Sequence, residues 1–129
     1  MGYGSKSIND WIDDVHATAR GKGWWTPYEA REGALRELSA DQVLAKLMLV
    51  VSELAEACEA VRVPGFQSIG LRKAWAENEK PEGFHIELAD AVIRIFDLCG
   101  AMGIDLEQAI RDKALYNDTR PQRHGNKRA

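Results

Sequence analysis

The chain has 129 residues, a length typical of one domain, and its formal net charge of −3 gives no overall basic field for nucleic acid. No apolar run reaches the roughly 18 residues of a membrane-spanning helix, and the amino terminus lacks the apolar core of a secretory signal. Cys58 and Cys99 lie in apolar helical patterns, where we expect small buried residues. These features predict a cytoplasmic protein with no membrane contact and no stable nucleic-acid partner.

The first predicted helix begins after Ser7, whose hydroxyl can cap it, and runs to about Arg20. The glycines and the proline of GKGWWTP then end it. Residues 28–37 remain open between a short helix and an irregular segment. The apolar residues of the first helix recur at spacings of three and four, namely Ile8, Trp11, Ile12, Val15 and Ala19.

The second predicted helix follows a capping box, in which Ser39 precedes Gln42 by three residues, and runs to about Arg62 before Pro64. Residues 63–82 then form a long connection, with a short helical turn expected over 71–78. One face of the second helix is predicted to be its core face, and its residues are Leu44, Leu47, Val50, Val51, Leu54, Cys58 and Val61.

The third predicted helix begins near Pro81 and Glu82 and ends at Gly103. It is apolar around most of its circumference, so it should be largely buried. The fourth is capped by Asp105 and runs to about Asp118. The pattern predicts a single all-α domain over residues 1–129, a bundle of four or five helices with a basic tail at about 120–129. The tail is either a phosphate-contacting arm or a solvated, frayed end.

Two of these helices carry carboxylates three residues apart, Glu53 with Glu56 and Glu87 with Asp90. Residues at this spacing lie on one side of a helix, so packing the two helices together would bring four carboxylates into one place. Like charges at short range repel each other, and a hard divalent cation such as Mg²⁺ would remove the conflict. The alternative is that these acids are solvated and are paired with Lys46 and Arg94.

The fourth predicted helix carries a polar stripe of Lys113, Asn117 and Arg120, on the arc that should face the core earlier in the helix. A lysine, an amide and an arginine on one line suit a bound phosphate group. The alternative is ordinary helix-end chemistry, because cations are favoured near a helix carboxyl terminus and asparagine often ends helices.

The segments SELAEA, ELAD and KALYNDTRPQRHG, in this order, resemble the MazG-like, all-α nucleoside triphosphate pyrophosphohydrolase superfamily. The resemblance covers residues 40–125. The segment GKGWW, nearer the amino terminus, is also similar to the MazG-like subgroup of this superfamily. The family pattern is a Glu-x-x-Glu helix, then a Glu-x-x-Asp helix, then a Lys/Asn/Arg segment. The thirty residues between Glu56 and Glu87 are slightly more than this family usually has.

The resemblance implies a MazG-like bundle completed by oligomerisation, as a homodimer or homotetramer whose neighbouring subunits share the active site. It implies Mg²⁺-dependent cleavage of a (d)NTP between the α and β phosphates, with Mn²⁺ as a substitute metal. One glutamate, with Glu56 as the candidate, would orient or deprotonate the attacking water, and Trp24 and Trp25 are candidates for stacking on the base or for packing. The implied metal ligands are Glu53, Glu56, Glu87 and Asp90, and the implied phosphate-binding residues are Lys113, Asn117 and Arg120.

Two other functions remain open at this point. One is a non-catalytic helical module that binds a nucleotide, a metal or another copy of itself, in which the acids are solvated or are paired with Lys46 and Arg94. The other is a phosphoribosyl-ATP pyrophosphohydrolase, which has the same fold and chemistry but a different substrate. Assays with a panel of nucleotides, which measure pyrophosphate release, would separate the three.

Overall fold

The structure is a computed structural model that describes residues 4–67 and 81–121, and within these ranges its regular elements are all helical. The all-α prediction is therefore confirmed. No helix in the described ranges has the length and apolar character needed to cross a membrane. The predicted turn over 71–78 and nearly all of the basic tail lie outside these ranges. The elements are α1 (Ile8–Gly21), α2 (Ala40–Ala60), α3 (Phe84–Met102), α4 (Leu106–Thr119) and the 3₁₀ helices Thr26–Tyr28 and Ala34–Glu37.

The helix starts follow the predicted capping chemistry. The hydroxyl of Ser39 accepts the backbone N–H of Gln42, whose side chain accepts the backbone N–H of Ser39 in return, and Ser7 makes the same reciprocal pair with Asp10. Gly103 ends α3 in the left-handed region, with φ 71°. The start of α3 was predicted a little too early, because Gly83, with φ 122° and ψ 171°, turns the chain immediately before Phe84.

α3 is the central helix, and it packs against α2 on one side and α1 on the other. The approach to α1 is close at Gly100, where an added Cβ would lie 2.5 Å from the Cβ of His16. Only glycine allows this contact without moving one of the helices. The main core lies where α1 and α3 meet the 3₁₀ segments, and it consists of Ala19, Trp25, Leu35, Leu98 and Ala101.

Most of the predicted core face of α2 is directed outward, although its member Val50 is buried. Val50 and Ala57 are buried, and the partly buried Glu53 and Lys46 share their side of the helix. The prediction was therefore wrong for the apolar stripe beside them, because no described part of the chain covers it. The exposed members, here called the outward stripe, are Leu44, Leu47, Val51, Leu54, Cys58 and Val61.

α3 and α4 are also less buried than their sequences predicted. Leu88, Val92 and Ile93 of α3 are each 40% exposed or more, although Cys99 is buried as expected. α4 contains no fully buried residue, and of the arc that was expected to face the core Leu106 is partly buried, whereas Ala109 and Ile110 are exposed in the described part of the chain. The described part of a single chain therefore leaves several large apolar residues exposed on each of α2, α3 and α4.

Candidate acidic active site

Three carboxylates meet where the inward side of α2 faces α3. Glu53, Glu87 and Asp90 each place one oxygen within 4.8 Å of the other two, and all three residues are partly buried. These residues, here called the carboxylate trio, come from the two pairs that the sequence singled out. Glu56, the fourth acid, is exposed and is not part of this closest group.

Arg94, one turn after Asp90 on α3, pairs with one member of the trio. Its Nε donates to Oε1 of Glu53 at 2.8 Å. The side chain of Glu53 is only 15% exposed, whereas that of Arg94 is 37% exposed. Arg94 therefore compensates the charge of Glu53 within this group.

The surroundings of Glu87 raise the pKa of its carboxyl. Partial burial is the main cause that raises the pKa of this carboxyl, and the charges of Asp90, Glu53 and Glu56 raise it further, with a hydrogen bond to Glu53. Glu56 is thus close enough to act electrostatically, although it is exposed. A cation bound among these oxygens would favour the ionised form and reverse the shift.

Glu87→Gln is expected to raise the melting temperature of the metal-free protein at pH 7 by about 1–4 °C, because it removes about 0.2–1 kcal/mol of desolvation and repulsion from a partly solvated group. Because the folded-state pKa of Glu87 is raised, the free energy of unfolding of the wild type falls as pH rises from the ordinary glutamate pKa through the raised value. The advantage of the variant should therefore shrink on going down to about pH 4. Thermal melts by circular dichroism in EDTA would measure this.

Glu59→Gln, on the same helix with a side chain that is 68% exposed, is the control and should show no such gain. A wild type that is more stable than Glu87→Gln at pH 7 in EDTA would contradict the electrostatic account.

A cavity of about 670 Å³ opens beside the trio, between α1 and α3. Glu53, Asp90 and Arg94 form one part of its wall, and Trp24, which is 58% exposed, forms another. An indole in this position can stack on the planar base of a ligand, while the charged part of the same ligand binds near the carboxylates. The other lining residues are Val15, Thr18, Ala19, Ile93 and Asp97.

Trp25 has a different role from Trp24. It is 0% exposed, and its Nε1 donates to Oδ1 of Asp97 at 2.9 Å. The same oxygen accepts Nδ1 of His16 at 2.8 Å, and the His16 ring meets the Trp25 ring edge to face. Trp25 is therefore packed in the main core, and it also lines a second, smaller cavity.

A smaller cavity of about 250 Å³ adjoins the larger one and shares Trp24, Arg94 and Asp97 with it. Lys46 lines this second cavity. Its Nζ lies 4.2 Å from the ring centre of Trp25 and 4.6 Å from that of Tyr28. Lys46 therefore makes no ion pair with the trio in the described part of the chain. The sequence left open that the acids pair with Lys46 and Arg94, and of that alternative the structure contains the pair of Arg94 with Glu53.

The predicted phosphate-binding stripe does not join the trio within one chain. Lys113 and Asn117 are exposed on α4, and neither they nor Arg120 line the two cavities. Lys113 Nζ and the Arg120 guanidinium instead lie 4.9 Å and 5.4 Å from the ring centre of Tyr116.

Sequence reasoning missed the link between His16, Asp97 and Trp25. A signal was present, because Asp97 falls on the same arc of α3 as Asp90 and Arg94. Nothing in the sequence, however, placed His16 opposite Asp97.

The chain was also compared with models of known protein families, with curated proteins and with solved structures. None of these comparisons found a match. The assignment of a function therefore depends on the residues and geometry described above.

Proposed function

We propose that this chain is a Mg²⁺-dependent nucleoside triphosphate pyrophosphohydrolase of the MazG-like kind, which cleaves a (d)NTP to a monophosphate and pyrophosphate. The observation that supports the proposal most is that two members of the carboxylate trio, Glu53 and Asp90, line the same cavity as the exposed indole of Trp24, with Glu87 beside them. A metal-binding group and a base-stacking group are the two parts that nucleotide hydrolysis needs close together.

The donor atoms of the trio fit Mg²⁺. All three are carboxylate oxygens, the hard ligands that Mg²⁺ prefers, and a few carboxylates leave the remaining positions to water and phosphate. The raised pKa of Glu87 also fits, since a divalent cation would stabilise a carboxylate that is disfavoured mainly by burial and further by the charges of Asp90 and Glu53. Mn²⁺, which accepts similar ligands, is the expected substitute.

In the proposed reaction, Glu53, Glu87 and Asp90 hold Mg²⁺, which when bound neutralises phosphate charge and polarises phosphoryl oxygens. The oxygen of a water molecule bonds to the α phosphorus, and the bond from that phosphorus to the α–β bridging oxygen breaks. The bridging oxygen leaves with its electron pair in pyrophosphate. Glu56, which is solvated and close to the trio, orients the water and accepts its proton before releasing it to solvent.

We further propose that the active form is a homodimer or homotetramer. The outward stripe on α2 and the exposed apolar residues of α3 are surfaces that a second copy would cover. In such an assembly α4 of a neighbouring subunit would bring Lys113, Asn117 and Arg120 to the phosphates. The lysine would then supply a single positive charge, the asparagine an amide N–H donor, and the arginine a guanidinium that can donate two hydrogen bonds to one phosphate.

Val51→Glu is expected to convert the oligomer to a protomer of 14.4 kDa, because it places a charge in the middle of the outward stripe. Ser52→Glu adds the same charge one residue further on α2, outside the stripe, and should leave the assembly intact. Size-exclusion chromatography with light scattering measures both masses. A wild type that is monomeric at micromolar concentration would contradict the assembly.

A panel assay tests the function itself. The wild-type protein is incubated with Mg²⁺ and each common and modified (d)NTP, and with phosphoribosyl-ATP, and pyrophosphate release is measured. Turnover of at least one nucleoside triphosphate is expected, and it should stop in EDTA and return with Mg²⁺ or Mn²⁺. If only phosphoribosyl-ATP is cleaved, the fold and chemistry stand and the substrate changes.

The second candidate function is a non-catalytic module that binds a nucleotide or a metal. The ion pair of Glu53 with Arg94 is the observation that favours it, because this pair already occupies one of the proposed metal ligands. That function predicts no turnover of any nucleotide by the wild type, and the panel assay therefore decides between the two.

A further inference from the structure

Lys46 is a charged residue that the proposed chemistry has not used. It projects from the inward side of α2 into the smaller cavity, with its Nζ near the rings of Trp25 and Tyr28. The ring contact with the fully buried Trp25 fixes the position of the ammonium group beside the cavity. The lysine is therefore held in place and is not a freely moving surface side chain.

The charges around Lys46 leave it without a close counter-ion. Among the described residues it makes no ion pair, and Asp97, whose charge attracts it, already accepts hydrogen bonds from His16 and Trp25 through Oδ1. Arg94 repels it. Burial lowers the pKa of Lys46 more than Asp97 raises it, which means that the ammonium is incompletely solvated. An anion entering the cavity would supply the missing interaction.

We propose that Lys46 binds the terminal phosphates of the substrate and so holds the pyrophosphate that leaves. The proposal rests on the proposed function, since it assigns a part of the same substrate. It places the base beside Trp24, the α phosphate near the carboxylate trio, and the β and γ phosphates in the smaller cavity, which shares Arg94 with the larger one.

The layout of α2 fits this order of groups. Lys46 and Glu53 are seven residues apart on one side of the helix, which corresponds to about 10 Å along its axis. A polyphosphate and an extended lysine side chain together can span that distance. A fixed cation at the far end would stabilise the negative charge that develops on the leaving group as the bond to the α phosphorus breaks.

The test compares Lys46→Met with Lys6→Met. Lys6 is a matched control, because its Nζ also lies over an indole ring, 4.8 Å from the centre of Trp11, but it lines neither cavity beside the trio. Binding of pyrophosphate in the presence of Mg²⁺ is measured by calorimetry. Lys46→Met should weaken it by about 10- to 100-fold, the loss expected for one charge-assisted hydrogen bond, and Lys6→Met should not.

Lys46→Arg guards against a packing effect, because it keeps the charge over Trp25 and should restore most of the pyrophosphate affinity. If the wild type hydrolyses nucleotides but Lys46→Met binds pyrophosphate as tightly as Lys6→Met, this inference is wrong and the proposed function stands. If no nucleotide is hydrolysed but pyrophosphate binding still depends on Lys46, the anion site stands without the hydrolase. Failure of Lys46→Arg to restore binding would also overturn the inference.

Discussion

Asp90→Asn is expected to lower kcat/KM for nucleotide hydrolysis by about 10²–10³-fold while the helical fold stays intact. The substitution keeps the shape of the side chain but removes one of the charges that would hold Mg²⁺. Glu53→Gln should have a similar effect, and it also leaves the guanidinium of Arg94 without its carboxylate. Steady-state pyrophosphate release measures the rate, and circular dichroism checks the fold.

Matched controls separate a specific loss from a general effect of removing acidic charge. Glu59→Gln is made on the same helix as Glu53, and Asp118→Asn is made at an exposed position of α4. Both should retain activity close to that of the wild type. Normal turnover in either Asp90→Asn or Glu53→Gln would remove the trio from the catalytic site.

Trp25→Ala is expected to destabilise the fold by about 3–5 kcal/mol, the usual cost of truncating a large buried aromatic residue. Trp25 is fully buried in the main core and donates a hydrogen bond to Asp97. Its removal would leave a cavity, release the Lys46 side chain and take one hydrogen bond from the carboxylate of Asp97. Urea unfolding followed by circular dichroism measures the change.

Trp24→Ala is the natural control, because the adjacent indole is 58% exposed. It should change the stability by less than about 1 kcal/mol. It should instead weaken substrate binding by about 1–3 kcal/mol, the value typical for an aromatic ring stacked on a base, and so raise KM. If Trp24→Ala destabilises the chain as much as Trp25→Ala does, the separation of the two roles is wrong.

The helices and their ends could be predicted because they depend on local chemistry. The capping boxes at Ser7 and Ser39, the aspartate cap at Asp105 and the left-handed Gly103 each act within one helical turn. The start of α3 was less accurate, since the conformation of Gly83 cannot be read from its type alone.

The orientation of α2 could not be predicted in the same way. Periodicity identifies an apolar stripe but does not say whether this stripe meets the same chain or another one. The interior side instead holds Val50 and Ala57 together with charged residues such as Glu53. Small and charged residues on the inner side leave the larger apolar ones at the surface.

The trio was predictable because spacing by three places two acids on one side of a helix, and one such pair lies on each of two helices that pack together. The hydrogen bonds of Asp97 with His16 and Trp25 were not, since they join residues 81 and 72 positions apart. The position of Lys46 over Trp25 could not be predicted either, because it depends on where the hydrogen bond to Asp97 places the Trp25 ring.

The two thiols of the chain differ in a way that makes assembly observable without a mutation. Cys58 lies in the outward stripe and is exposed, whereas Cys99 is buried in α3 and burial raises its pKa, so it resists alkylation. A maleimide would therefore modify a lone subunit at one position, and a neighbour lying over the stripe would shield that position. The rate at which maleimide labels Cys58, measured as the protein is diluted, therefore reports association, and Cys99 serves as the internal reference.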